Sequence, residues 1–289
     1  MPPIYYNMAY DLKLDDILGG ELAKTVKESV SNYISEYPKQ LSASLSETMK
    51  EISKSTGKLG LKNLPLEVKG SYDPLQFYMI SLANGAQTYD NLARSRGIDY
   101  QTRKSYIDMS KAFREMFRMM FAQYYNIKIE DIDDKTLNFL LSFYGQAFSG
   151  LMTQYTTSLV HQYMKSGGDV SKLSDVVELG TKMVGAYNQA ILGYATGLYN
   201  KIISDEWLGP KGAALVVAKA FSQFGDKLYS DIFYKSITDL YKQYTTPAQA
   251  QPQQGAQQQT PQGQVQKQQQ QVVQQPQQST QIAGQGSHP

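Results

Sequence analysis

Apolar side chains recur every three or four residues along most of this chain, which is the spacing that places them on one face of an α-helix. Between residues 21 and 37 they stand four apart, at Leu22, Val26, Val30 and Ile34. Pro38 follows, and because proline lacks the backbone N–H of a helical hydrogen bond, the pattern predicts that this helix ends there. Proline also suits the first turn of a helix, so a second helix is predicted from Pro38 to about Ser55.

Residues 61–70 interrupt the helical pattern, since Pro65 disfavours helix at the residue before it. Asp73 and Pro74 then supply an N-cap and a first-turn proline for a helix that is predicted to end near Gly97. Another helix is predicted from about Asp99 to Tyr125.

Three long helices are predicted in the second half, at about 131–166, 169–206 and 212–245. Because the connections between them are short, we expect successive helices to pack as antiparallel neighbours. The periodic apolar positions predicted to be buried are Leu141, Phe148, Leu151, Val184, Ile191, Leu198, Phe221, Leu228 and Ile232. The middle helix contains Gly180, Gly185, Gly193 and Gly197, which indicate close approach to a neighbouring helix or to a ligand. Either interpretation places that helix in the interior.

No stretch alternates apolar and polar residues as a strand does, so the predicted fold class is all-α. We expect an elongated helical bundle with three long C-terminal antiparallel helices. Along the chain the pattern predicts an N-terminal arm (1–19), an N-terminal helical region (20–125), a long-helix bundle (126–246) and a low-complexity tail (247–289).

The tail contains 20 glutamines in 43 residues, and Lys267 is its only Lys, Arg, Asp or Glu. Such a composition cannot pack a core, so the tail is predicted to be disordered or extended. Glutamine side chains offer many donors and acceptors for contacts between copies, which favours a role in assembly. A flexible spacer is the alternative.

One long stretch, residues 136–164, contains no Lys, Arg, Asp or Glu. It is long enough to cross a bilayer, but its many Ser, Thr, Asn and Gln residues make it too polar for a lipid-facing helix. We therefore predict no transmembrane segment and expect this helix to be buried in protein.

Few residues are suited to catalysis or to metal binding. The chain has no cysteine and two histidines, of which only His161 lies outside the tail, and no motif of a catalytic triad accompanies it. The acidic run EDIDD (130–134) lacks the spacing of a calcium loop and is explained more simply by the start of a helix. The stretch PPIY (2–5) matches a four-residue pattern that WW domains bind. We expect no enzyme activity, no cofactor and no metal site.

Charge is nearly balanced over the whole chain, with 28 basic and 26 acidic residues, but it is unevenly distributed. All five arginines fall within residues 94–118, here called the basic segment, together with two lysines. Its cations are Arg94, Arg96, Arg103, Lys104, Lys111, Arg114 and Arg118. Arginine forks suit phosphate oxygens, so these side chains could hold a nucleic-acid backbone without reading its sequence.

The alternative is a solvated or protein-binding helix face. Asp99–Arg103, Asp108–Lys111 and Glu115–Arg118 are three or four residues apart, which is the spacing of ion pairs within a helix. In that case the arginines would hold protein to protein rather than protein to nucleic acid.

A cysteine-free, tyrosine- and methionine-rich helical body with a polar low-complexity tail resembles the virion structural proteins of archaeal, especially crenarchaeal, viruses. Coat proteins in some of those families are helical and wrap A-form DNA. The resemblance implies a protein that assembles with itself and with other virion proteins. It lies in composition, so it assigns no role to any single residue.

The sequence therefore favours a non-enzymatic structural protein that self-assembles in a virion and binds nucleic acid, if at all, without sequence specificity. The rival hypothesis is a cytoplasmic helical adaptor or scaffold that binds one protein partner. An enzyme that uses His161 with a carboxylate partner is the third.

Overall fold

The computed structural model describes residues 19–205 and 208–245, and every regular element among them is helical. The predicted all-α fold is confirmed for this part of the chain. The α-helices are α1 (Gly20–Lys58), α2 (Pro74–Ala93), α3 (Tyr100–Tyr125), α4 (Asp134–Lys165), α5 (Leu173–Ser204), α6 (Pro210–Lys227) and α7 (Lys235–Thr245). Short 3-10 turns at Ile129–Asp131 and Val170–Lys172 precede α4 and α5, and a π-helical segment, Leu228–Tyr234, joins α6 to α7.

Helix α1 is one continuous helix of 39 residues with Pro38 inside it. The predicted break at Pro38 is therefore wrong. An internal proline costs roughly 3 kcal/mol because it removes a hydrogen bond. Here the buried side chains on both sides of it, such as Tyr33, Tyr37 and Leu41, pack into the same core. Their burial offsets the local cost, and the two halves of the helix continue without a break.

Helices α2 and α3 form an antiparallel pair whose starts are fixed by local signals. Asp73 caps α2 through a reciprocal capping box with Gln76, and Pro74 occupies the first turn, as predicted. Asp99 caps α3 by accepting a hydrogen bond from the Thr102 N–H at 3.0 Å. Across the pair, the rings of Tyr89 and Tyr106 lie 5.8 Å apart. The connecting turn, residues 94–99, thus projects at one end of the pair.

The three long C-terminal helices occupy the predicted positions, although the third contains the π-helical segment. Helix α5 contacts both α4 and α6. All nine side chains predicted to be buried are buried. Helix α5 also lies antiparallel to α1, since the Tyr37 hydroxyl donates to the Ala190 carbonyl at 2.6 Å and Lys182 pairs with Glu51 at 3.2 Å. The regions 20–125 and 126–246 therefore share one core.

Three of the four glycines in α5 lie where another helix approaches closely. A Cβ on Gly180 would lie 2.6 Å from Thr156 Cγ2 of α4, and one on Gly193 would lie 2.9 Å from the Tyr37 hydroxyl. Gly197 faces the Tyr33 hydroxyl. At Gly185, in contrast, no described atom outside its own helix backbone lies within 4 Å of the ideal Cβ position. The glycines thus serve close helix packing, as one of the two interpretations of the sequence expected.

Buried tyrosines carry much of the core. The hydroxyls of Tyr78 and Tyr187 donate to the carbonyls of Gly225 and Leu66, both at 2.7 Å. Burial raises the pKa of both tyrosines well above the ordinary value, since ionised phenolate would lose its hydration. These hydrogen bonds tie α2 to α6, and α5 to the irregular stretch 61–70.

Candidate functional site

The uncharged stretch of α4 is only half buried, so the expectation that it lies wholly within protein is wrong. Leu137, Leu141 and Tyr144 belong to the buried side. The opposite side, here called the uncharged face of α4, consists of the exposed residues Thr136, Asn138, Phe139, Ser142, Phe143, Gln146, Ser149, Gly150, Thr153, Gln154, Thr157, Ser158, His161 and Gln162. None of them is Lys, Arg, Asp or Glu.

Two phenylalanines dominate the N-terminal half of this face. Phe139 and Phe143 are four residues apart and are 69% and 59% exposed. Neither residue belongs to the periodic apolar series that predicted the buried side of α4. Their position outside that series was the feature of the sequence that could have indicated their exposure. Each aromatic ring gains about 1.5–3 kcal/mol when it leaves water, so a partner that covers both gains a substantial free energy.

Gly150 lies on the same face, about two turns beyond Phe143. No atom of the described residues lies within 4 Å of its ideal Cβ position. Glycine in a helix interior costs about 1 kcal/mol relative to alanine, and packing within the chain gives no reason for it here. A small residue at this place permits another helix to approach the backbone of α4 closely.

Inside the described part of the chain, no helix combines the length and the apolar character that a membrane span requires.

The basic segment is divided by the fold into two groups. Arg114 and Arg118, near the middle of α3, contact α4. Arg114 donates to the Asn138 side chain, and Arg118 pairs with Asp134 at 2.6 Å and with Glu115 at 3.6 Å. Both arginines are half-buried. They fasten α3 to the start of α4 within one chain.

The other five cations, here called the outer cations, are Arg94, Arg96, Arg103, Lys104 and Lys111, and all are exposed. Among the described residues, no carboxylate lies within 4.0 Å of any of them. Of the three ion pairs that the spacing suggested, only Glu115–Arg118 forms. Arg103 instead donates to the Ser95 carbonyl at 3.5 Å, which brings it to the turn that carries Arg94 and Arg96.

The acidic run 130–134 marks the start of α4, as expected. Asp133 caps the helix by accepting a hydrogen bond from the Thr136 N–H at 2.7 Å. Its pKa is lowered chiefly by that hydrogen bond, and to a smaller extent by Arg118. Across residues 19–205 and 208–245, no group of three or more His, Asp or Glu side chains is placed to hold a metal ion.

His161 is exposed near the end of α4. No ion pair or hydrogen bond joins it to a carboxylate of the described residues. The arrangement that an enzyme hypothesis would need, His161 beside an acid, is therefore not assembled in this part of the molecule.

A cleft between α1 and α5 is lined by charged side chains, including Lys58, Asp175 and Lys182. Lys182 bridges Glu178 and Glu51 there, and its pKa is raised chiefly by the hydrogen bond to Glu178. These ion pairs link the two helices, so the charged residues of the cleft have a structural role.

The PPIY stretch, the predicted arm before Gly19 and the tail 247–289 lie outside the described residues.

Comparison with protein-family models, with curated proteins and with solved structures gives no match to this chain.

Proposed function

We propose that this chain is a non-enzymatic structural protein that self-assembles, with copies meeting through the uncharged face of α4. The observation that carries the proposal is the exposure of Phe139 and Phe143 on a helix side without a charged residue over 29 positions. Solvated helix faces ordinarily carry lysine and glutamate, whereas interface cores are depleted of charge and enriched in aromatic residues.

A second copy is the partner that this face fits best. In a two-fold symmetric contact the same patch meets itself, so a charge near the axis opposes its own kind. A patch without charges avoids that repulsion. The small residues Ser142, Ser149 and Gly150 let two backbones approach, while the phenylalanine rings leave water. The amide and hydroxyl groups along the face supply hydrogen bonds across the contact.

The size of the face indicates how strong one contact is. Helix α4 has 32 residues and is about 48 Å long at 1.5 Å per residue. With a helix diameter of about 10 Å, one copy contributes on the order of 500 Å². A stable interface buries about 800 Å² on each partner, so a single pair associates weakly. Stable association then requires many copies, in which weak contacts add through avidity.

Such weak contacts are sufficient for stable association in a particle that contains many copies. We propose that this particle is a virion, with this chain as a coat or virion-associated protein. The compositional resemblance to archaeal virion proteins supports this choice, as does the glutamine-rich tail, which can add contacts between copies. Other virion proteins would then be neighbours of the chain.

A charge placed on the uncharged face tests the proposal. Gln146→Glu changes one exposed residue of α4 to an acid of the same shape, and Gln223→Glu makes the same change on α6 as a matched control. We expect wild type and Gln223→Glu to form concentration-dependent, large or polydisperse assemblies in sedimentation and electron microscopy. Gln146→Glu should weaken association roughly ten-fold or more, because like charges facing each other cost several kcal/mol.

A wild-type chain that stays monomeric at high concentration, with no particle association, would refute self-assembly. Equal association of the two variants would refute the role of α4. A cytoplasmic adaptor is the second candidate, since the same exposed phenylalanines could dock one different protein. The adaptor would be favoured if the chain is absent from any particle and one stoichiometric partner is recovered with it. The double variant Phe139→Ser, Phe143→Ser should then release that partner.

A further inference from the structure

The two groups within the basic segment have different surroundings. Arg114 and Arg118 contact Asn138, Asp134 and Glu115. Within residues 19–205 and 208–245, no carboxylate pairs with any of the outer cations. Three of them are arginines, which means that more than half of the arginines in the chain are exposed in one small region.

The acids closest in sequence, Asp90, Asp99 and Asp108, form no ion pair with the outer cations. Asp90 accepts a hydrogen bond from the Ser110 hydroxyl at 2.8 Å. Asp99 accepts from the Thr102 hydroxyl at 2.6 Å and from the Thr102 N–H, and these bonds lower its pKa. Burial chiefly, and the charge of Asp108 in addition, raise the pKa of Tyr199 in α5. From Arg94 to Lys111 there are five cations and two carboxylates, a net charge of +3.

The outer cations are arranged in a row along α3 and the turn before it, rather than in a compact cluster. Tyr100, Lys104, Ile107 and Lys111 follow steps of four, three and four residues, so they lie on one face of α3. That face rises about 17 Å from Tyr100 to Lys111. Arg103 joins it to Arg94 and Arg96 through the Ser95 carbonyl. A row of this length matches a polymeric anion better than a single small ion.

An exposed aromatic ring lies at one end of the row. Tyr100 is 75% exposed, and Ile107, about two turns further along the same face, is 38% exposed. Cations interleaved with an exposed aromatic ring are the combination that binds single-stranded nucleic acid, where phosphates meet the charges and an unpaired base stacks on the ring.

We propose that the outer cations bind the phosphate backbone of nucleic acid without regard to base sequence, and that Tyr100 stacks on an unpaired base. Arginine forks pair with two phosphate oxygens at once, which gives them the advantage over lysine at such a site. This activity is separate from self-assembly, since it uses α3 and the turn before it, whereas copies meet on α4. In an assembled particle the row would repeat in every copy.

The test compares two triple variants and one double variant of the full chain with wild type. Arg103→Gln, Lys104→Gln and Lys111→Gln remove part of the row. The charge-matched control, Lys39→Gln, Lys54→Gln and Lys235→Gln, removes three exposed lysines elsewhere. Binding to labelled single-stranded and duplex DNA of mixed sequence is measured by fluorescence anisotropy over a series of salt concentrations. The double variant Arg114→Gln, Arg118→Gln serves as the third comparison. Binding of the wild-type chain to vesicles of acidic lipid is measured as well.

We expect the wild-type logarithmic salt slope on duplex DNA to be about −3 to −4.5, because each neutralised phosphate contributes roughly −0.9. The row variant should flatten this slope by about two to three units and weaken binding equally for all sequences. The lysine control and the Arg114/Arg118 variant should leave the slope unchanged. Single strands should bind more tightly than duplexes, and Tyr100→Leu should reduce single-strand binding roughly ten-fold while sparing duplex binding.

Equal loss in the row variant and the lysine control would refute a local site, since net charge alone would then explain binding. Absence of DNA binding, or binding only to acidic vesicles, would refute the proposal outright. None of these results would refute self-assembly, which is tested separately. Sedimentation of the row variant reports on the contact through α4 independently of DNA binding.

Discussion

Replacement of Gly180 by alanine should destabilise the protein, whereas the same replacement at Gly185, five residues along α5, should stabilise it. In a helix interior alanine is favoured over glycine by about 1 kcal/mol. At Gly185 the added methyl group meets no described atom outside its own helix backbone within 4 Å, so the full gain of about 1 kcal/mol is expected.

At Gly180 the methyl group would lie 2.6 Å from Thr156 Cγ2 and 3.2 Å from Thr156 Cα. Thr156 cannot turn aside freely, since its hydroxyl donates to the carbonyls of Met152 at 2.8 Å and Thr153 at 3.1 Å. Forcing a methyl group into a packed site costs typically 1–3 kcal/mol. Set against the gain in helix propensity, the net loss of unfolding free energy should be about 0–2 kcal/mol.

The difference between the two variants isolates the packing cost, because both gain the same propensity. Urea unfolding followed by far-ultraviolet circular dichroism should separate their free energies of unfolding by about 1–3 kcal/mol with unchanged m-values. In thermal unfolding this corresponds to about 2–4 °C for each kcal/mol in a chain of this size. Two variants that are equally stabilised would show that α4 and α5 do not pack as closely at Gly180 as described.

Three further outcomes follow from the structure. The protein should unfold in alkali, with a midpoint at about pH 11–12. Unfolded tyrosines have a pKa of 10.0, whereas burial raises the pKa of Tyr37, Tyr78 and Tyr187 in the folded state. Each of these tyrosines therefore lowers the free energy of unfolding by about 1.4 kcal/mol per pH unit above 10. Parallel loss of helical dichroism and appearance of tyrosinate absorbance would check this, and gradual ionisation of the folded protein would contradict it. Asp73→Ala should cost about 1–3 kcal/mol in urea unfolding, because it removes both the cap of α2 and the acceptor of the Tyr124 hydroxyl. Asp73→Asn should cost less, because its amide oxygen can still cap the helix. Arg118→Gln should cost about 1 kcal/mol or less in the same assay, since its partner Asp134 is exposed and a surface ion pair contributes little.

Local signals in the sequence predicted the parts of the fold that depend on neighbouring residues. Asp73 with Pro74, and Asp99, mark the starts of α2 and α3 because capping needs only the next three residues. The apolar periodicity of α4 and α5 predicted their buried sides for the same reason. Each of these features is encoded within one or two helical turns.

The remaining features depend on contacts that sequence spacing does not contain. Pro38 lies inside α1 because tertiary packing on both sides outweighs a local penalty. Asp99 is spaced to pair with Arg103, yet its carboxylate is engaged by Thr102, and only the structure decides between two local partners. Arg114 and Arg118 reach α4 across more than fifteen positions of chain. The exposure of Phe139 likewise follows from where the neighbouring helices lie.

The π-helical segment at Leu228–Tyr234 has a consequence for how the length of this chain can vary. Buried residues there repeat every four positions, at Gly225, Tyr229, Phe233 and Ile237. In a pure α-helix of 3.6 residues per turn, three such steps would rotate the buried side by about 120°, and the wider π turns absorb that rotation. Loss of one exposed residue, such as Ser230, would restore ordinary α-helical spacing and keep α7 on the core. A deletion in α5 would instead rotate all later side chains by about 100°. Related chains, as they diverge, should therefore accept the deletion of a single residue at this place before any other place in the long helices.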